Sequence, residues 1–505
     1  MGLIAISLAS RTGGLDVGLW IDEGLSIGIA SRAIPDIPAT LRLDGSPPLY
    51  YVLLHFWMEA FGQGEIATRA LSLLFACACV PVSWWLVRAT FGSRAAWAAA
   101  TVFAVNPFLT QYAQETRMYS LVVLLGLIAT VCFIQAFVWR RRRWLVGLVA
   151  ACAALLYTHN WALFFSAGLG LTWLALAAAA PDGKRRGVLR DGVVAFALIG
   201  LLYLPWLPTL IFQARHTGAP WALRPGIEAL WGVFASLLGT VPQLLLLVTA
   251  GAGLVAIFRA RPAGASEAGA ATDPSNATAR AVWALLALET ATLVIAWLSS
   301  QLSPAWAVRY LAVGVAPLLV LAAVGLSRAG GLGFAGLAIV ALWSAFDAPP
   351  PSKSNVLEVA TAIAPGLRAG DVVVSTQPEQ VPVLNYYLPE GVRFATLWGE
   401  LADPKVTDWR DGAARMSRTS ARRDLAPLAS RLSPGQRLVL VEPIIYRLER
   451  WSAPWTQRVR LKSVEWRDHL FNRSDLRTVA MHPLHSYPPK PNPVRATVFV
   501  RVPTQ

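Results

Sequence analysis

Leu19-Trp20-Ile21-Asp22-Glu23-Gly24 places two adjacent carboxylates just beyond the first apolar segment of a chain that is otherwise dominated by apolar runs. An acidic pair at that position points to chemistry at a membrane surface. It also has a bland reading, in which the two acids are solvated or cap a helix beginning near Gly24, where negative charge favours the helix dipole.

Outward from this pair, composition sets the class. The 505 residues are 55% hydrophobic and 14% charged, with a mean hydropathy of +0.49, far from the balance of a soluble domain. The reading is a polytopic α-helical membrane protein. Its four cysteines, Cys77, Cys79, Cys132 and Cys152, fall inside apolar segments without disulfide or metal-ligand spacing, so they read as small embedded hydrophobes. A formal net charge of +15 raises the question of nucleic acid. The basic residues, however, sit in short connections between apolar runs and in the tail, which membrane orientation explains more simply.

A spanning helix needs about 20 mainly apolar residues. That ruler places spans near 66–90, 95–110, 117–139, 144–158, 161–180, 192–213, 229–258, 281–300, 306–327 and 331–346, about 10–11 in all with the N-terminal segment. Arg88, Arg94, the run Arg140 to Arg143, Lys184, Arg185, Arg186, Arg190, Arg259, Arg261 and Arg328 then share one side, which the positive-inside rule makes cytoplasmic. The opposite side carries Asp22, Glu23, Asp44, Ser46, Glu115, Arg117, Tyr119, His159, Arg215, His216, Arg224 and, just inside a span, Arg309. All the candidates for chemistry fall on the outer face.

Met1 to Ala9 is too short to cross about 30 Å of hydrocarbon as a helix, and no basic region precedes it, which speaks against a cleaved signal peptide. Residues 12–65 form a long outer loop. Its stretches 24–31 and 48–62 are expected to lie in the interface, with Tyr50, Tyr51, Phe56 and Trp57 at headgroup depth. From about residue 347, after Pro349-Pro350-Pro351, the pattern changes. Residues 371–375, 437–441 and 496–500 read as buried strands and 354–368 and 411–432 as helices, giving an extracytoplasmic α/β domain over 347–505 behind a membrane domain over 1–346. Its mild basic surplus is read either as a grip on anionic headgroups or glycan phosphates, or as a solvated surface.

Three blocks recur in a fixed order: Asp22-Glu23, then Asp44-Gly45-Ser46-Pro47-Pro48-Leu49-Tyr50-Tyr51, then Gln114-Glu115-Thr116-Arg117-Met118-Tyr119. With Tyr157-Thr158-His159, Leu204-Pro205-Trp206-Leu207-Pro208 and Arg309-Tyr310, the chain resembles the GT-C membrane glycosyltransferases, specifically the family 39 group related to protein mannosyltransferases and the aminoarabinose transferase of lipid A. The resemblance implies a sugar donor carried on polyprenyl phosphate and an acceptor (glycan, lipid or protein) glycosylated on the outer face, usually with inversion. Such a reaction needs a base for the acceptor hydroxyl and cations for the departing phosphate. Asp22 is the expected base, with Glu23 orienting it or the acceptor. Arg117 and Arg309 are expected on the phosphate, because a guanidinium forks onto phosphate oxygens and stays charged beside lipid. Interfacial snorkelling is the competing view of both.

Tyr119 and His159 join them as donor-binding candidates, His159 also having a purely structural reading. Glu115 is expected to pair with Arg117 and aim it. Asp44, Ser46 and Tyr50 are supporting or acceptor-side candidates, although relatives carry a basic residue or histidine where Ser46 stands. Trp20, Tyr50, Tyr51, Trp206 and Trp221 can stack on sugar rings or line a lipid groove, with belt anchoring as the default. No cofactor is implied beyond the lipid-linked donor, and a divalent cation on Asp22 and Asp44 is left open. A Gly-rich phosphate loop and an Asp-x-Asp cluster are not found in the sequence, which weighs against a nucleotide-sugar donor. The alternatives are a transporter of lipid-linked sugars, which would call for internal repeats and mid-span ionisable residues, and an envelope glycan ligase or polymerase. Composition places the chain in a bacterial cytoplasmic membrane.

Overall fold

Apolar runs of the length seen here have one stable form in hydrocarbon, the helix, because each backbone polar group must be satisfied within its own segment. The structure, a computed structural model, describes residues 1–259, 274–346, 352–483 and 490–503, and up to Phe346 it is helical. The expected Arg261 and the three prolines at 349–351 lie outside the described residues. Among the described residues, six helical stretches are long and apolar enough to cross a membrane unaided: Glu65–Phe91, Tyr119–Val138, Asp182–His216, Thr240–Arg259, Asn276–Leu302 and Val308–Arg328. Shorter apolar helices, Trp144–Leu156, Ala162–Ala178, Glu228–Leu238 and Gly330–Phe346, pack among them.

Three expected spans change shape. The run 95–110 breaks at Asn106, whose side chain accepts from the Leu109 backbone at 2.9 Å and caps a new helix with Pro107 in its first turn, a start signal that overrides the apolar run. The run 229–258 is two helices, parted at Gly239 with φ +88. The span expected at 192–213 begins at Asp182, so Lys184, Arg185, Arg186 and Arg190 are helical. At that end of the bundle Arg140 and Arg142 converge on Asp191 at 3.0 and 2.8 Å. One mid-span acid went unnoticed in the sequence: Glu289 is buried against Gly314, and neither of its carboxyl oxygens has a hydrogen-bond partner among the described residues.

The long loop of residues 12–65 folds into three helices, Ile21–Ala30, Asp36–Asp44 and Leu49–Phe61. Tyr50 and Tyr51 are fully buried inside the protein and not presented to headgroups as expected, while Phe56 and Phe61 are the exposed rings of that segment.

The C-terminal region holds a six-stranded mixed sheet in the order β3-β2-β1-β4-β6-β5. Its strands are β1 Val372–Ser375, β2 Arg393–Thr396, β3 Gly399–Glu400, β4 Arg437–Pro443, β5 Leu476–His482 and β6 Val494–Arg501. β1 runs parallel to β2 and β4, with Val373 opposite Phe394 and Val439, and β6 is antiparallel to β4 and β5. The three expected strands are β1, β4 and β6. β2, β3, β5 and the helix Pro454–Phe471 were not anticipated, and the expected helix 411–432 is divided into Gly412–Ser417, a π turn at Ala421–Leu425 and Ala426–Ser430.

This domain sits directly on the end of the bundle that carries Asp22. The helix Ile21–Ala30 presses its glycine face on it: a Cβ at Gly24 would lie 2.7 Å from the Val383 backbone, and one at Gly28 only 1.8 Å from the Lys405 carbonyl oxygen. The Leu19 N–H donates to the Tyr387 hydroxyl at 2.7 Å, and the Asp411 and Trp455 N–H groups donate to the carbonyls of His216 and Pro220.

Candidate active site

Asp22 and Glu23 occupy the first turn of the helix Ile21–Ala30, and successive positions on a helix point about 100° apart. The consequence is a division of labour. Glu23 turns inward, where Arg69 holds it bidentately with both contacts at 2.7 Å, and it also accepts from the N–H groups of Thr116 at 2.9 Å and Trp20 at 3.3 Å. Its lone pairs are spent there, which corrects the expectation that it handles the acceptor. It ties the first loop to the turn that carries Arg117. Arg69 has no nearby motif and was missed; Glu23 lies 46 residues away from it.

Asp22 turns to a cavity instead. Its Oδ2 lies 4.0 Å from Arg117 Nε and 3.9 Å from Arg309 Nε. Those separations are too long for hydrogen bonds, and among the described residues Asp22 Oδ2, Arg117 Nε and Arg309 Nε have no hydrogen-bond partner. Arg117 is held from behind: its Nη1 donates to Ser26 Oγ at 3.2 Å, and its carbonyl accepts from Ser72 Oγ at 2.9 Å. Arg309 stacks over Trp221, 4.6 Å from the ring centre, a cation–π contact.

Two expected contacts are replaced. Glu115 pairs with Lys353, from the segment entering the C-terminal domain, and not with Arg117. Burial pushes the Glu115 carboxyl up and Lys353 opposes that shift; the same ammonium rides 4.5 Å above the Trp20 ring. Tyr50 is buried with its hydroxyl 3.1 Å from Ser72 Oγ, so it buttresses the Arg117 turn and does not meet an acceptor.

Asp22, Asp44, Ser46, Arg117, Trp221 and Arg309 line one wall of a cavity of about 300 Å³, and Gln377, Glu379, Trp409 and Asn492 of the C-terminal domain line the other. A second cavity of about 350 Å³ shares Ser46, Arg117 and Tyr310 with it and continues along His159, Trp161, Phe164 and Leu210. The Asp44 loop is pinned by Asn160, which donates to the Gly45 carbonyl at 2.9 Å, and by the left-handed Gly45 at φ +106, which ends the helix. Burial pushes the Asp44 carboxyl up to about 6.

His159 accepts from the Trp161 N–H on Nδ1 at 3.1 Å. Burial first, then the Arg117 and Arg309 charges, hold its pKa down to about 3, so at neutral pH the imidazole is uncharged and, with Nδ1 accepting, carries its proton on Nε2. Tyr119 packs at a tilt against His159, 5.8 Å between ring centres, and its hydroxyl has no hydrogen-bond partner among the described residues. Trp20 and Trp221 line the cavity, whereas Trp206 is buried beside Tyr157. His216 pairs with Asp411 of the C-terminal domain at 3.3 Å.

The donor set around Asp22 does not suit a divalent cation, because its nearest charged neighbours are guanidiniums. Among the described residues, no group of three or more His, Cys, Asp or Glu side chains converges as metal ligands.

The chain shares its fold with two proteins of known structure. Residues 45–212 match the family described as dolichyl-phosphate-mannose-protein mannosyltransferase. The chain is similar to ArnT from Cupriavidus metallidurans bound to undecaprenyl phosphate, with 14% identity and a TM-score of 0.58 over 98% of this chain and 97% of that one. Against the apo state of the same protein the figures are 15%, 0.54, 87% and 90%. The archaeal oligosaccharyltransferase AglB from Archaeoglobus fulgidus, in complex with an inhibitory peptide and a dolichol-phosphate, aligns at 11% identity and a TM-score of 0.55 over 87% of this chain and 68% of that one. A comparison with curated protein sequences finds no significant match.

Proposed function

We propose that this protein moves a single sugar from a polyprenyl-phosphate carrier to an envelope acceptor at the outer face of a bacterial cytoplasmic membrane, with inversion, Asp22 serving as general base. The observation that carries the proposal is the arrangement at the cavity: one carboxylate set between two guanidiniums at 4.0 and 3.9 Å, with the facing atoms of all three unpartnered among the described residues.

In this reading, Arg117 and Arg309 take the phosphate oxygens through their free Nε donors, and the second cavity, walled by Trp161, Phe164 and Leu210, receives the first part of the lipid. The acceptor hydroxyl attacks the anomeric carbon from the face opposite the phosphate. The carbon–oxygen bond to the phosphate breaks as the new glycosidic bond forms, the hydroxyl proton passes to Asp22, and polyprenyl phosphate leaves with its added charge met by the two guanidiniums. His159 supports a sugar or phosphate oxygen as a neutral donor. Residues 1–346 form the catalytic membrane domain and 347–505 the extracytoplasmic domain. The basic cluster on Asp191 at the opposite end fits a cytoplasmic assignment of that end. Solved relatives of this fold bound to undecaprenyl phosphate and dolichol-phosphate support the carrier class.

Direct binding of undecaprenyl phosphate to the purified chain tests the carrier site. Wild type binds, and Arg117→Ala and Arg309→Ala each weaken binding about tenfold or more, as expected for a charge-assisted hydrogen bond of about 1.5–3 kcal/mol. Equal binding by all three proteins removes the arginines from the phosphate.

A further inference from the structure

We propose that the C-terminal domain selects the transferred sugar, with Glu379 accepting a hydrogen bond from a hydroxyl or ammonium group on the ring and Trp409 offering the apolar face on which the ring lies. This rests on the proposed function and adds which wall of the cavity discriminates between donors.

The phosphate-binding and sugar-facing parts of the cavity come from different halves of the chain. Arg117, Arg309 and Asp22 stand on the membrane side, and Gln377, Glu379 and Trp409 on the domain side of the same cavity. A sugar phosphate whose phosphate meets the guanidiniums therefore carries its ring toward the domain. Glu379 is buried there with one oxygen committed: Oε1 accepts from Trp455 Nε1 at 2.9 Å and from Gln377 Nε2 at 3.0 Å. Its Oε2 has no partner among the described residues, an expensive state for a buried carboxyl oxygen unless a ligand supplies a donor.

Trp409 is partly exposed at the cavity and is fixed by Trp455, its ring centre 4.9 Å away, so the aromatic face is set before any ligand arrives. A rigid aromatic plane beside a carboxyl oxygen short of one donor is complementary to a pyranose or furanose ring: apolar on its C–H face and rich in hydrogen-bond donors at its edge. The wall is also held in place, because the Trp409 N–H donates to the Leu43 carbonyl at 3.1 Å, one residue before Asp44.

The test uses the full-length purified chain with three polyprenyl-phosphate donors bearing a neutral hexose, a neutral pentose and an amino sugar. It compares kcat and KM for wild type, Glu379→Gln and Trp409→Ala, with binding of sugar-free undecaprenyl phosphate measured alongside. The expected result is undecaprenyl phosphate binding within about twofold of wild type for both variants. Glu379→Gln should then change the ratio of kcat/KM between donors by about tenfold, the worth of one hydrogen bond to a charged group. A change confined to the amino-sugar donor assigns Glu379 to an ammonium group; a change among the neutral donors assigns it to a hydroxyl. If Glu379→Gln does not fold, Trp409→Ala carries the test, with KM raised for all three donors and carrier binding kept. Unaltered donor ranking and KM in both variants overturn the inference while leaving the proposed function standing, whereas a wild type that binds no undecaprenyl phosphate overturns both.

Discussion

At Glu23 a carboxylate with 1% of its surface exposed accepts four hydrogen bonds, two of them from an equally buried Arg69. Replacing such a carboxylate leaves the guanidinium buried without its counter-charge, which costs about 3–5 kcal/mol. Glu23→Gln is therefore expected to lower the thermal unfolding midpoint steeply, while the fraction that remains folded still binds undecaprenyl phosphate. His159 gives a prediction in pH. Its folded pKa of about 3 lies below the usual value near 6.5, so between those limits the unfolded chain binds the extra proton. The stability of the neutral form is full above about 6.5 and is lost as pH falls toward 3. Unfolding midpoints measured from pH 7 down to pH 4 should fall less steeply in His159→Gln than in wild type. Of this scale, the ordered motifs singled out Asp22, Arg117 and Arg309, which the fold brings to one cavity. The split between Asp22 and Glu23 was not legible, because it is decided by Arg69, and the Glu115 partner was misread because Lys353 reaches it from 238 residues away.

The elements were most legible where hydrophobic length decided them, as in Glu65–Phe91 and Tyr119–Val138. They were least legible where one residue overrules a run, as Asn106 and Gly239 do. The helix Pro454–Phe471 was missed because charged residues fill its exposed positions, although Trp455, Val459, Trp466 and Leu470 repeat along one buried face with helical spacing. Strand β5 was missed for a related reason: it sits at the sheet edge and Arg477, Thr478 and Val479 are exposed.

Helix crossings inside the bundle rest on small residues, which length and hydropathy do not show. A Cβ added at Gly253 would come within 1.8 Å of the Gly325 carbonyl oxygen, and one at Gly325 within 2.3 Å of that of Ala250. The helices Thr240–Arg259 and Ala312–Arg328 thus touch backbone to backbone, as small-residue interfaces allow. Gly253→Val must push them apart, and Arg309 lies in the turn leading into the second helix. The variant is expected to lose at least about 2 kcal/mol of stability and to weaken carrier binding with it. A Gly253→Val protein with the wild-type unfolding midpoint would show that the contact is not tight.

For the whole molecule, the cavity beside Asp22 exists only because two parts of the chain close on each other. The glycine face of Ile21–Ala30, the Lys353–Glu115 ion pair and the Trp409–Leu43 hydrogen bond fix the C-terminal domain over the Asp22 wall. Sequence reading anticipated the helical bundle and the C-terminal region with its mixed sheet. It did not find that the domain furnishes half of the cavity, because Gln377, Glu379 and Trp409 belong to no local pattern and meet Asp22 only through tertiary docking. The account as a whole turns on Asp22 as the base, and one measurement addresses it directly: release of polyprenyl phosphate from lipid-linked sugar donors by purified protein in an envelope extract that supplies acceptors, wild type beside Asp22→Asn. The account predicts release by wild type, and none above background by a variant that is folded and still binds undecaprenyl phosphate. Release by Asp22→Asn at the wild-type rate, or no release by wild type from any donor, would contradict it.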